Sequence, residues 1–109
     1  MATEEERVLV VDDAADTIEV LRRNLELHGY RVSSAQSTAE AIVMLQKRPI
    51  DLVITDLKMP GASGLELVRH VRDNFRDVDV LMITGYPSVE SAVSAVRSGA
   101  VNYLAKPFT

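Results

Sequence analysis

The chain has 109 residues, 12 Lys and Arg against 16 Asp and Glu, a formal net charge of −4, and no cysteine or tryptophan. That length supports one domain, and 47% hydrophobic with 26% charged residues is ordinary globular usage. The lack of cysteine excludes a disulfide scaffold, a thiolate metal site and a cysteine nucleophile, while the acidity argues against non-specific nucleic-acid binding, which needs a basic patch.

Arg7-Val8-Leu9-Val10-Val11 is a largely apolar run that ends at Asp12 and Asp13, and it predicts a first strand. Asp16 is a candidate cap for the helix that follows. In that helix Ile18, Leu21 and Leu25 recur at i, i+3 and i+7, one helical face. Gly29 is placed to terminate it. Tyr30 to Ala35 reads as a short, partly polar strand suited to a sheet edge. Thr38 is the expected cap of a second helix, with Ala41, Ile42 and Leu45 inward and Pro49 as its stop. Asp51-Leu52-Val53-Ile54-Thr55 is the third strand, running into Asp56.

A loop marked by Gly and Pro follows, Lys58-Met59-Pro60-Gly61-Ala62-Ser63-Gly64. A third helix then places Leu67, Val68, Val71 and Phe75 on one side. Val78 to Ile83 is the fourth strand, ending at Thr84-Gly85. Ser88 heads a fourth helix in which Val89, Ala92, Val93 and Val96 keep the helical period, and Gly99 closes it. Val101 to Leu104 is a fifth strand, ending at Ala105-Lys106-Pro107. His28 and His70 fall on helices, away from the strand ends.

Strict alternation of apolar strands with helices predicts an α/β fold, a parallel sheet covered on both faces. In such sheets the binding crevice lies at the carboxyl ends of the strands. Asp12, Asp13, Asp56, Thr84 and Lys106 all stand at those ends. Three carboxylates on one rim repel one another and call for a cation. Hard oxygen ligands favour Mg²⁺, and Lys106 adds a further positive charge. Asp56 is a candidate carboxylate nucleophile of the acyl-phosphate type. A phosphoryl group moving onto it would need its equatorial oxygens neutralised. Mg²⁺, the Lys106 ammonium, the Thr84 hydroxyl and the Gly85 amide are suited to that task.

Taken singly, each residue has an ordinary structural explanation: a solvated turn for Asp12 and Asp13, a strand-end aspartate for Asp56, a surface lysine for Lys106. Their arrangement in order is what carries the resemblance. Val11-Asp12-Asp13, Asp56 followed by Met59-Pro60-Gly61 and Gly64, Thr84-Gly85, and Tyr103-Leu104-Ala105-Lys106-Pro107-Phe108 together resemble a response-regulator receiver domain of two-component signal transduction, of the CheY-like superfamily. The likeness runs over essentially the whole chain. It implies a flavodoxin-like doubly wound five-stranded parallel sheet with strand order 2-1-3-4-5. It implies Asp56 as the phosphoacceptor. Asp13 and Asp56 resemble direct Mg²⁺ ligands, with Asp12 acting through water and the Lys58 backbone carbonyl as a further ligand. Thr84, Gly85 and Lys106 resemble the phosphoryl-binding groups, Tyr103 the aromatic switch residue, and Lys106-Pro107 a cis-peptide candidate. Lys58 and Tyr86 fall at variable positions beside the site, suited to tuning phosphoryl lifetime.

The same resemblance implies a histidine kinase or phosphotransfer protein as donor. It also implies a switch that remodels the face of helix 4 and strand 5 to control an output domain. The segment from Thr84 to Phe108 is similar to receivers of NtrC-type transcription activators, which implies transcription as the output and offers a homodimer surface on helix 4 and strand 5. A Mg²⁺-dependent aspartate-nucleophile phosphatase is the enzymatic alternative. Such enzymes need an acid/base aspartate two residues past the nucleophile, where this chain has Lys58. The acidic Asp12-Asp13 turn disfavours a flavin phosphate, and a phosphorylation-independent receiver-like module would have lost site residues that are all retained. The domain is therefore expected to modify only itself.

The longest apolar runs, such as Val8 to Val11 and Val80 to Ile83, are about four residues, too short to span a membrane. The acidic start, Met1-Ala2-Thr3-Glu4-Glu5-Glu6, is no signal peptide. A cytoplasmic module that binds neither membrane nor nucleic acid directly is expected. Residues 1–109 read as one receiver domain truncated before the family's fifth helix. That would leave apolar residues of the first and fifth strands exposed or covered by a second copy.

Overall fold

The computed structural model describes residues 6–56, 64–84 and 102–105, with Thr84 and 102–105 described as backbone alone. The elements in chain order are β1 (Arg7–Val11), α1 (Ala15–Leu27), β2 (Arg31–Ala35), α2 (Thr38–Lys47), β3 (Leu52–Asp56), α3 (Gly64–Asn74), β4 (Asp79–Thr84) and β5 (Asn102–Ala105). The strands form a five-stranded sheet in the order β2-β1-β3-β4-β5. Every pairing is parallel. The expected α/β architecture and strand order are therefore present, and β2, with its half-polar Val32-Ser33-Ser34, takes an edge as its composition indicated. The helix expected from Ser88 lies outside the described residues.

The period of two along each strand sorts the core onto two faces. Leu9, Val11, Val53, Val80 and Met82 pack with Ala41 and Leu45 of α2 and Leu67, Val68 and Val71 of α3. Val8, Val10, Ile54 and Ile83 pack with Ile18 of α1, and Leu21 and Leu25 support them. Fully burying each such side chain contributes roughly 1.5–3 kcal/mol. The expected exposure of β1 is not found. Val8 and Val10 are 0% exposed, because α1 lies over them. The β5 side chains lie outside the description.

The helix ends obey local chemistry, with two shifts from expectation. Asp16 does not cap α1. Ala14 is the N-cap, without a side-chain bond, and Asp16 sits in the first turn, where a negative charge favours the helix dipole. Ser37, not Thr38, caps α2: its hydroxyl accepts from the Glu40 amide at 3.1 Å. The Glu40 carboxylate reaches back to accept from the Gln36 amide at 3.2 Å, close to a capping box. Gly29 ends α1 as expected, with φ of 90°. The Tyr30 amide donates to the Leu25 carbonyl and the Gly29 amide to the Glu26 carbonyl, both at 3.1 Å, a Schellman arrangement.

Below the strands, Asp51 ties the sheet together. Its amide donates to the Arg7 carbonyl at 2.8 Å, its carboxylate accepts from the Arg7 amide at 2.8 Å, and its carbonyl accepts from the Asp79 amide at 3.0 Å.

Candidate functional site: an acidic cluster at the strand rim

Register determines which residues meet at the carboxyl ends. Val11 pairs with Thr55, and Asp56 pairs with Ile83. Asp12 and Asp56 therefore stand at one level of the sheet, one residue past that pair. Thr84 is one step further on β4, paired with Ala105. Asp56 is the last residue of β3, and the buried Thr55 hydroxyl donates to its carbonyl at 3.1 Å.

The carboxylates of Asp12, Asp13 and Asp56 converge. One oxygen from each lies within 4.8 Å of the others. Asp12 is 0% and Asp56 8% exposed, while Asp13 opens to solvent. The Asp12 amide donates to the Ala35 carbonyl at 3.1 Å, extending the ladder with β2 past the end of β1. Its Oδ1 accepts from the Ala14 amide at 2.9 Å, so the carboxylate is held as the chain turns into α1. The positive end of the α1 dipole thus begins beside the cluster and partly offsets its charge.

The donor set fits a hard divalent cation. All three groups offer carboxylate oxygen, and opposite ligands of Mg²⁺ or Ca²⁺ stand about 4–5 Å apart, the scale of this cluster. Two full charges 4.8 Å apart repel by about 3.5 kcal/mol at an effective dielectric of 20. Three together carry a standing incentive to share a cation.

Asp12, Asp13 and Asp56 are thus brought together, as the sequence indicated. Thr84 is placed at the rim by its backbone. Tyr103 lies within β5, its backbone paired with Met82. Lys58, Gly85, Tyr86, Lys106 and Pro107 lie outside the described residues. His28 is exposed at the end of α1, and the His70 ring stacks at a tilt on Phe75 with centroids 5.8 Å apart. Neither is at the rim. Ala14, whose amide holds Asp12, carries no side-chain signal and is invisible to a motif reading.

The model of the response regulator receiver domain family matches residues 8–109. The response regulator MprA of Mycobacterium sp. (strain KMS) is 40% identical over 102 residues, 94% of this chain and 44% of that protein. The chain thus spans less than half of that relative's length. Among solved structures, a response regulator protein from Burkholderia pseudomallei, crystallised with a phosphorylated aspartic acid, calcium ion and citrate, matches with a TM-score of 0.91 and 37% identity, over 96% of this chain and 62% of that one. The beryllofluoride-activated NtrC4 receiver domain dimer matches with a TM-score of 0.89 and 35% identity, over 94% of this chain and 85% of that one. With the family's sheet order in place and acidic residues gathered at its rim, this chain belongs to the response-regulator receiver domains of two-component signalling.

Proposed function

We propose that this domain is a phosphorylation-controlled switch in which Asp56 accepts a phosphoryl group from a histidine kinase or phosphotransfer protein. The observation that carries the reading is the buried Asp56 carboxylate, gathered with those of Asp12 and Asp13 within 4.8 Å at the strand rim. The relative with a phosphorylated aspartic acid and a calcium ion supports it. In the transfer, an Asp56 oxygen bonds to phosphorus while the bond from phosphorus to the donor histidine nitrogen breaks. That nitrogen leaves with the electron pair.

Asp13 and Asp56 would ligate Mg²⁺ directly, Asp12 through water, and the Lys58 carbonyl would complete the protein ligands. The cation, when bound, supplies positive charge to the phosphoryl oxygens. Asp12, held by the Ala14 amide, would hold a water on the cation. The Lys106 ammonium, Thr84 hydroxyl and Gly85 amide receive the remaining oxygens. With the phosphoryl group in place, Thr84 moves toward it and Tyr103 turns inward, shifting a two-state equilibrium of the helix 4 and strand 5 face.

That face would act on an output, transcription by the resemblance of the 84–108 segment, and would form a homodimer; the NtrC4 receiver dimer supports the latter. The domain modifies its own carboxylate and turns over no external substrate, in the cytoplasm, where its kinase partner would meet it. Lys58 in place of an acid/base aspartate supports this.

The test is incubation with Mg²⁺ and a small acyl-phosphate or phosphoramidate donor, read by intact mass. A gain of one phosphoryl group that is absent in Asp56→Ala is expected. No gain, or a gain unaffected by that substitution, overturns the assignment.

A further inference from the structure

A second charged cluster, of opposite sign, lies at the other end of the sheet. Arg7 and Arg31 are register partners on β1 and β2, so their side chains leave the same face of the sheet side by side. Arg48 follows α2, and its guanidinium donates to the Ser33 hydroxyl at 3.5 Å, two residues along β2 from Arg31. These three arginines, with Ser33 and Ile50, line one cavity of about 310 Å³. The cavity lies about 17 Å along β1 from the acidic rim.

Each arginine alone has a simple reason to be there. A cation after α2 complements the helix dipole, and a charge on an edge strand discourages pairing with another chain. Neither reason explains convergence. Like charges directly opposite in a sheet destabilise it, and this chain is acidic overall. The guanidiniums of Arg7 and Arg48 form no ion pair among the described residues. Guanidinium forks match the oxygens of phosphate two at a time, and the cavity is of small-ligand size.

We infer that this groove binds a polyphosphate anion, either an inorganic chain or the phosphate tail of a nucleotide. The site is independent of Asp56 phosphorylation. The test titrates the intact domain, without divalent cations and at fixed ionic strength, with inorganic tripolyphosphate, and follows backbone amide resonances. Saturable shifts at Arg7, Arg31, Ser33 and Arg48, with Asp13 unmoved, are expected. Arg48→Gln should weaken binding about tenfold, with an unchanged unfolding midpoint, as Arg48 is exposed. Arg7→Gln should weaken binding to a similar degree. Arg23→Gln, an exposed charge of α1 paired with Glu19 at 3.0 Å, should leave binding unchanged. A parallel titration with ATP separates the sources: equal affinity assigns recognition to the phosphate chain, and tighter binding adds the nucleoside. Absence of saturation, shifts at the acidic rim alone, or equal weakening by Arg23→Gln and Arg48→Gln would each overturn the inference.

Discussion

Replacing Asp13 by Asn should stabilise the metal-free domain and destabilise it relative to wild type once Mg²⁺ is added. Asp13 is the exposed member of the cluster, and its carboxylate has an oxygen within 4.8 Å of both Asp12 and Asp56. At that separation one pair costs about 3.5 kcal/mol at a dielectric of 20 and about 0.9 kcal/mol at that of water. Exposure places Asp13 toward the lower figure, so removing two such repulsions should contribute about 1–2 kcal/mol. A domain of this size gains about 4–8 °C in Tm per kcal/mol. The rise should shrink with added salt, because exposed charges are screened. Mg²⁺ at a hundred times its Kd would stabilise wild type by about 2.7 kcal/mol. The variant, lacking one of the carboxylates proposed to hold the cation, should gain far less, so the order of the two melting curves should invert. The assay is thermal unfolding of both proteins at low ionic strength, with and without Mg²⁺. A metal-free Asp13→Asn domain that melts below wild type, or an equal Mg²⁺ gain in both, would refute the cluster as a cation site held under repulsion.

Ser37→Ala removes the cap of α2 and should cost about 1 kcal/mol in urea unfolding. Gly29→Ala should cost about 1 kcal/mol for backbone reasons alone, since a Cβ there meets nothing within 4 Å while φ stays at 90°; Gly29→Asn should cost less. Leu9→Ala, at a position 0% exposed, should cost about 2–5 kcal/mol. Leu27→Ala, 83% exposed, should stay within about 0.5 kcal/mol of wild type in the same experiment.

The rim was legible in the sequence because strand alternation and parallel register are stringent. Once Val8–Val11 and Val53–Thr55 are parallel strands, Asp12 and Asp56 must both stand at the carboxyl end of the sheet. The ends of elements were less legible. Asp16 and Ser37 are both good capping residues by type, and only backbone geometry decides. Asp12 accepts from the Ala14 amide, Ala14 is the N-cap, and Asp16 falls inside the first turn, while the extended backbone of Ser37 places its hydroxyl on the Glu40 amide. The cover of β1 is carried by the helical period of α1, whose Ile18, Leu21 and Leu25 fall on the face of Val8 and Val10. The arginine groove carried no sequence signal at all. Its members come from three segments that share no spacing, and it takes the pairing of Arg7 with Arg31 and the bond from Arg48 to Ser33 to unite them.

The bond from the Ala14 amide to Asp12 has a consequence for how quickly and how tightly the rim can respond. A loose carboxylate would surrender its rotamer freedom at the moment of binding, typically about 0.5–1.5 kcal/mol per side chain. Here that ordering is completed when the chain folds, so the encounter with a cation begins from a preset donor. The same bond couples the first turn of α1 to the rim. Any event that draws the Asp12 oxygen away from Ala14 must weaken the start of that helix, and by reciprocity anything that steadies α1 must tighten the rim.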